Sequence, residues 1–340
     1  MANVTFTYGS GVNDSIFGKV QAPIASFIEK RGEAFEQASL VKAIFSTNQS
    51  KHFGEKYGSM TAMDGFMPVG ENGKHPVDGN RESYSKFLEN ETWKSSFSIS
   101  REAMDDAVLV NLKKKPEAFI SAYNRTRELY AAAILGAAVK GLTECEFRGR
   151  KYDVTGADGK KLFATDHPSI LDKKSQGNVF KDSFSIKALG AVETKMQGFM
   201  DDNGDILDIS PDTIIIPNDF ELKNDVFEAI GSDKDPDTSN NGFNYHYGRW
   251  NIIVHPYLNQ FITDGTKPWI LLDSEANKRY DGAIWQDRVS LEVTSSIDED
   301  TNANVWRGYA RFVAGFSDWR PFAIGGVSTG TQLISTSTGT

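Results

Sequence analysis

The sequence is short of several things. Among 340 residues there is one cysteine, Cys145. That excludes an intramolecular disulfide framework and any zinc cluster made of thiolates alone. The five histidines (His52, His75, His167, His246, His255) are scattered, with no pair at the i, i+4 spacing that a helical zinc site uses. No apolar run reaches the roughly 18 residues of a membrane-spanning helix. The first residues, MANVTFTYGSGVNDS, have neither the basic start nor the apolar centre of a signal peptide. Positive charge is also scarce: 37 Lys and Arg face 46 Asp and Glu, a net charge of −9. A protein that grips nucleic acid through a bulk basic surface is not expected from that balance. The expectation is a soluble, reduced, intracellular protein that does not engage a membrane.

Core-forming residues, by contrast, are plentiful. The chain is 39% hydrophobic and holds 22 Phe and 6 Trp, enough for a sizeable core. Its length suits about two domains or one large elaborated one. Residues 1–50 begin with small, turn-forming residues, then show a helical pattern at Phe27, Ile28, Phe35, Leu40, Ile44 and Phe45. This reads as an arm that needs a partner surface. Residues 51–83 are rich in glycine and alternating charge, and Tyr84–Ile99 interleaves aromatic and polar residues as strands do. Together 51–99 reads as a long projecting hairpin.

Ser100 is a candidate N-cap, with Glu102, Asp105 and Asp106 early in its helix and Lys113–Lys115 expected at the end. Pro116 then opens a second helix, expected over 117–140 and roughly 36 Å long. Its second half, AAAILGAAV, is small enough for another element to approach its backbone, and Gly141 can close it. Further helices are expected over 185–200 and 219–230. Thr213–Ile216 should be a buried central strand, and 249–258, 268–273, 289–293 and 305–316 should be strands too. The closing Ser/Thr/Gly stretch reads as a flexible tail. The pattern is α+β, as two half-domains sharing one core.

Motifs for chemistry are incomplete. Gly159-Lys160 lacks the upstream glycine of a phosphate loop, having Val154 there, and Lys161 follows in place of Ser or Thr. Asp201, Asn203 and Asp205 have calcium-loop spacing, but Ile206 and Asp212 stand where that loop requires Gly and Glu. Asp298, Asp300 and Asn302 fit a hairpin tip. Asp166, His167 and Ser169 look like part of a hydrolase triad, yet no GxSxG elbow exposes a nucleophile. Cys145 lies between Glu144 and Glu146, whose charges should raise its pKa and keep it inert. Lys113–Lys115 reads as a solvated helix end. Trp306, Tyr309, Phe312, Phe316 and Trp319 could be a base-stacking platform or a packed sheet. No catalytic, cofactor-binding or metal residue is expected.

What remains unusual is structural: an arm, a projecting loop, a polar loop at 232–242 and a tail. Ordering each residue costs about 1–2 kcal/mol, which a lone subunit offsets poorly at such segments. Self-assembly would supply the missing contacts.

Against that background YSKFLENETWKSSFSISREAMDD (84–106) resembles the Mu-like major head subunit family of tailed phages. DGKKLFATDHPS (158–169), DTIIIPNDFELKNDVFEAI (212–230), NNGFNYHYGRWNIIVHPYL (240–258) and PWILLD (268–273) are similar to that family's later segments, in the same order. The resemblance implies the Hong Kong 97-like capsid fold. Residues 1–50 would be the N-terminal arm and 51–99 the extended loop. Residues 100–184 and 276–323 would be a peripheral domain with a spine helix, 185–275 an axial domain and 324–340 a flexible tail. It implies a major capsid subunit that assembles into an icosahedral shell of hexamers and pentamers around phage or prophage double-stranded DNA, held non-specifically. Scaffold, maturation protease and portal proteins would be its partners, and the shell would assemble in the host cytoplasm. Subunit contacts are expected at Phe53, Tyr57, Met60, Met63, Phe66, Met67 and Trp93. Ser232, Asp233, Lys234, Asp235, Asp237 and Asn240 are expected at the capsomer axis. The alternatives are a nanocompartment shell protein of encapsulin type and, in another class, a hydrolase using Asp166, His167 and Ser169.

Overall fold

The computed structural model describes residues 21–37, 39–60, 68–71, 73–75, 82–106, 114–170, 174–232, 243–262 and 265–334. The first elements are α1 (Gln21–Gln37), α2 (Val41–Ile44), β1 (Ser46–Gln49), β2 (Gly54–Met60), β3 (Glu82–Glu89) and β4 (Thr92–Ile99). Next come α3 (Arg101–Asp106), the long α4 (Lys114–Val139), β5 (Glu144–Phe147), β6 (Arg150–Asp153), β7 (His167–Pro168) and β8 (Ser175–Gln176). Then follow α5 (Ile186–Gln197), β9 (Thr213–Pro217), α6 (Phe220–Gly231), β10 (Asn251–His255) and β11 (Trp269–Leu272). The chain continues with α7 (Ser274–Arg279), β12 (Ala283–Ile297), β13 (Asn304–Phe316) and β14 (Phe322–Gly325).

Local chemistry explains the helices. The Ser100 hydroxyl accepts from the Ala103 amide at 3.3 Å, the cap expected there. Ser185 and Asp219 cap α5 and α6, accepting from Ala188 and Leu222. Pro116 sits in the first turn of α4, where its missing N–H has no partner to lose. At the other end Gly141 takes φ +66°, and the Leu142 amide reaches back to the Ala137 carbonyl at 3.0 Å. Lys114 and Lys115 open this helix rather than closing the one before it. The small-residue half of α4 does what its composition suggests: Phe261 lies so close to Gly136 that a Cβ there would stand 2.4 Å from the Phe261 Cβ.

Two four-stranded sheets carry the rest. The first has the order β1-β12-β13-β4, with long antiparallel β12 and β13 at its centre and β1 parallel to β12. One region of its inner face, Leu291, Val293, Trp306 and Ile99, buries against Ile24 and Ile28 of α1 and Ile120 of α4. The second sheet has the order β10-β9-β11-β14. Its central β9 is buried along its whole length, so it reads as an unbroken apolar run without alternation. One buried cluster includes Ile214 and Leu271 of the second sheet together with Trp285 and Phe316 of the first, and α4 runs through it. Two halves do share a core.

Four segments depart from expectation. The projecting hairpin consists of β2 and β3 alone. β4 instead forms the edge of the first sheet, because Trp93 stacks on Phe312 at 4.9 Å and Phe97 on Trp306 at 5.1 Å. The arm is loose over neither α1 nor β1. Its helical face finds an apolar surface on its own subunit, and residues 1–20 lie outside the described ones. The tail is anchored through residue 334. β14 pairs with β11, and the buried Asp182 carboxylate accepts from Gln332 (2.6 Å), Leu333 (2.8 Å) and Ile334 (3.0 Å). The boundary between halves also moves, since β14 and Val179 join the second sheet from outside 185–275.

A buried charge ties these pieces together. Arg127 of α4 forks onto Asp287 of β12, Nη1 to Oδ1 at 2.8 Å and Nη2 to Oδ2 at 3.0 Å. Its guanidinium lies over Trp285 and Phe312 (4.8 and 5.0 Å) and within 3.5 Å of Glu36 of α1. Next to it, Glu128 accepts from the Leu40 amide at 3.1 Å and from the Ser39 hydroxyl.

Two outcomes follow. Asp287→Asn removes the carboxylate that the guanidinium forks onto and leaves it the Glu36 carboxylate at 3.5 Å, so urea unfolding should show a loss of about 3 kcal/mol, the low end of the scale for breaking a buried pair. Gly136→Ala should gain up to about 1 kcal/mol on helix propensity alone. The Phe261 contact reverses the sign, and a lowered midpoint is expected.

Candidate assembly surfaces

The hairpin leaves the body through a polar latch. At its base the Asn90 side chain donates to the Ser50 hydroxyl and to the His52 carbonyl, both at 2.9 Å. Gln286 of β12 donates to Asn90 Oδ1 at 2.8 Å and accepts from the Tyr57 hydroxyl at 2.9 Å. Burial pushes that phenol up to about 12. Lys86 ion-pairs with Asp153 and donates to the Thr155 carbonyl at 3.1 Å. Leu88 fills the space above Gly315, where a Cβ would stand 2.6 Å from it. The strands are therefore fixed to the first sheet, and Phe53 and Phe87 remain exposed, 58% and 57%.

Of the expected contact residues, Phe53 is exposed and Tyr57 is half-buried and bonded within its own subunit. Met60 stands opposite Glu82 on the hairpin. Met63, Phe66 and Met67 lie outside the described residues. Trp93 is half-buried on its own sheet, its indole N–H donating to the Phe312 carbonyl at 3.0 Å. Ser232 ends α6, and its carbonyl accepts from Asn244 at 2.8 Å. Asp233, Lys234, Asp235, Asp237 and Asn240 lie outside the described residues.

The chemical alternatives lose their geometry. Asp166 pairs with Lys160 at 2.5 Å, and Ser169 donates to the Asp202 carbonyl at 3.2 Å. His167 meets Asp158 at 2.6 Å and stacks on Trp319 at 4.3 Å. Three residues point to three different partners, so no triad forms. Asp201 Oδ1 accepts from the Asn203 and Asp205 amides (2.8 and 2.9 Å), shaping its own turn. Among the described residues no group of His, Cys, Asp and Glu could hold a metal, and no helix is long and apolar enough to cross a membrane. The Cys145 thiol is pushed up to about 11, but by burial, not by Glu144 and Glu146. Of the aromatic run, Trp306, Phe312, Phe316 and Trp319 are buried core, which leaves no stacking platform.

Other exposed aromatics went unread in the sequence. Phe220 and Phe227 stand out from α6, and Phe243, Tyr245 and Tyr247 from the turn before β10. The signal was the seven-residue spacing of two Phe residues in a helix whose buried set is Leu222, Val226, Ala229 and Ile230.

Comparison with known proteins agrees with this architecture. The family model described as "Phage capsid protein" matches residues 85–324, well over half of the chain and both sheets apart from β1 and the last residue of β14. The chain belongs to that family. It is similar in fold to the "Capsid of native GTA particle computed with C5 symmetry", at 10% identity over 85% of this chain and 90% of that one, with TM-score 0.51. Lesser likenesses are to chains of Mycobacterium phage Patience (12% identity, 97% and 92% covered, TM-score 0.49) and Microbacterium phage Oxtober96 (11%, 84% and 90%, 0.48). No curated protein matches. The chain is a phage capsid protein with the Hong Kong 97-like fold. It is a structural component of the virion capsid, not an enzyme, and it works by assembling with copies of itself.

His255 supplies a pH test of the core on which these surfaces stand. Burial lowers its pKa from 6.5 to about 4, and its Nδ1 has no partner. The folded state therefore prefers the neutral ring. The associated stability is complete above about pH 6.5 and is lost as pH falls toward 4, roughly 3 kcal/mol in all. His255→Leu should flatten unfolding free energy across that window, whatever its effect at pH 7.

Proposed function

We propose that copies of this chain build the hexamers and pentamers of an icosahedral head enclosing double-stranded DNA. The family match across both sheets carries the reading. The first sheet, with α4 as spine, serves as the peripheral domain. The second sheet, with α5 and α6, serves as the axial domain. The hairpin with residues 61–81 reaches over a neighbour, offering Phe53, Phe87 and the methionines and phenylalanine at 60, 63, 66 and 67. The segment from Ser232 through Asn240 lines the capsomer axis. Scaffold, maturation protease and portal proteins act with it in the host cytoplasm. A net charge of −9 suits a container that holds DNA without gripping it. Many modest contacts, each engaged because the others are, add up to a stable shell.

Negative-stain imaging of the purified protein, expressed alone and with the head-assembly genes beside its own, tests this. Closed shells with five- and six-fold capsomers and nuclease-protected DNA are expected. Monomers throughout, at any concentration and in both expressions, would overturn it.

A further inference from the structure

Five aromatic rings stand in water on α6 and on the turn before β10: Phe220 (73% exposed), Phe227 (51%), Phe243 (82%), Tyr245 (58%) and Tyr247 (51%). Scattered exposed rings need no explanation, but two of these share one helix and the other three sit on a turn fixed to that helix's end. Phe220 and Phe227 are seven residues apart and share one stripe of α6, opposite the buried Leu222 and Val226. Asn244 seats the other three at the end of that helix. Its side-chain amide donates to the Ala229 and Ser232 carbonyls at 2.6 and 2.8 Å, and its oxygen accepts from the His246 amide at 3.0 Å. Tyr245 lies under the Arg249 guanidinium at 4.1 Å, which in turn binds Glu193 of α5 at 3.0 Å. Large rings held out in water on a helix and on the turn fixed to its end mark an interface.

Charge selects the occupant. Glu221, Asp225 and Glu228 run along one flank of the stripe, all exposed, and among the described residues Asp225 and Glu228 have no ion pair. Such a flank repels nucleic acid and anionic lipid. Two copies meeting face to face would set the same acids against each other. A basic face is needed, and the chain has one. Lys187 and Lys195 stand exposed on α5, with Thr194 between them, and neither lysine has an ion pair among the described residues. α5 packs against β14 and meets Arg249 of the turn before β10 through Glu193, so its lysines and the acids of α6 lie on separate helices of the same half of the subunit.

We propose that the acidic, aromatic face of α6 docks on the basic face of α5 in the next copy, head to tail. A contact between unlike faces repeats around an axis and closes into a ring. This rests on the self-assembly reading above and names the surfaces that form each capsomer.

Charge exchange tests it. Asp225→Lys with Glu228→Lys, and separately Lys187→Glu with Lys195→Glu, should each raise the concentration needed for particles at least tenfold. All four changes in one chain should restore assembly, since each face then meets its new opposite. Phe220→Ser with Phe227→Ser should abolish particles while thermal unfolding of the subunit stays within a few degrees. Particle yield is read by sedimentation and negative stain. If the charge variants assemble like the parent chain, or the quadruple variant does not recover, the docking proposal falls and the assembly reading stands. If the parent chain forms no particles, the assembly reading falls and takes this proposal with it.

Discussion

The fork between Arg127 and Asp287 is the contact on which the rest of the subunit leans. A guanidinium with almost no exposure cannot sit between a helix and a sheet unless a carboxylate is held in register beside it. That register is fixed by β12 and β13, whose pairing places Asp287 opposite Phe312. The rings of Trp285 and Phe312 then cover the cation's face, and Glu36 brings α1 to its edge. A single buried group thus aligns the long helix, the first sheet and the helix that precedes them. Hydrophobic packing supplies much of the stability there, but it is indifferent to small slips along a helix. The bidentate pair is not.

The same logic recurs at the hairpin. Asn90, Gln286 and Tyr57 form one polar chain, and Lys86 with Asp153 and Thr155 a second, where two strands leave the body. Each buried donor or acceptor left unmatched there would be costly, so together they hold one exit geometry. A subunit that must meet neighbours benefits from a hairpin set in place beforehand, because less ordering remains to be done on contact. The ring-bearing turn at the end of α6 is held likewise, by the amide of Asn244 and the cation of Arg249. Both exposed surfaces are stationed by polar groups that are themselves anchored.

Much of this was legible in the residues. The N-cap Ser100, the helices expected from 185 and 219, the small-residue half of α4, the apolar run Thr213–Ile216 and the alternating strands at the end all sit where their local chemistry puts them. Collinear resemblance to the head subunit family pointed to the shell, and the family match bears that out. Failures fell at segments whose partner is distant in sequence. Trp93 and Phe97 read as part of a loop because nothing near them names β13. The tail read as loose because its anchor, Asp182, lies 150 residues earlier.

The sequence by itself determined most elements, the acidic balance, the absence of a disulfide framework and a place among phage capsid proteins. Those depend on periodicity, composition and local capping, which act over a few residues. Only the tertiary structure decided that the first helix belongs to its own subunit, that β4 is a sheet edge, and that the ring-bearing turn at 243–247 is fixed to the end of α6. These are matters of which surfaces meet across long stretches of chain. No local pattern encodes that choice, because an apolar face gains nearly the same free energy against any complementary surface that excludes water.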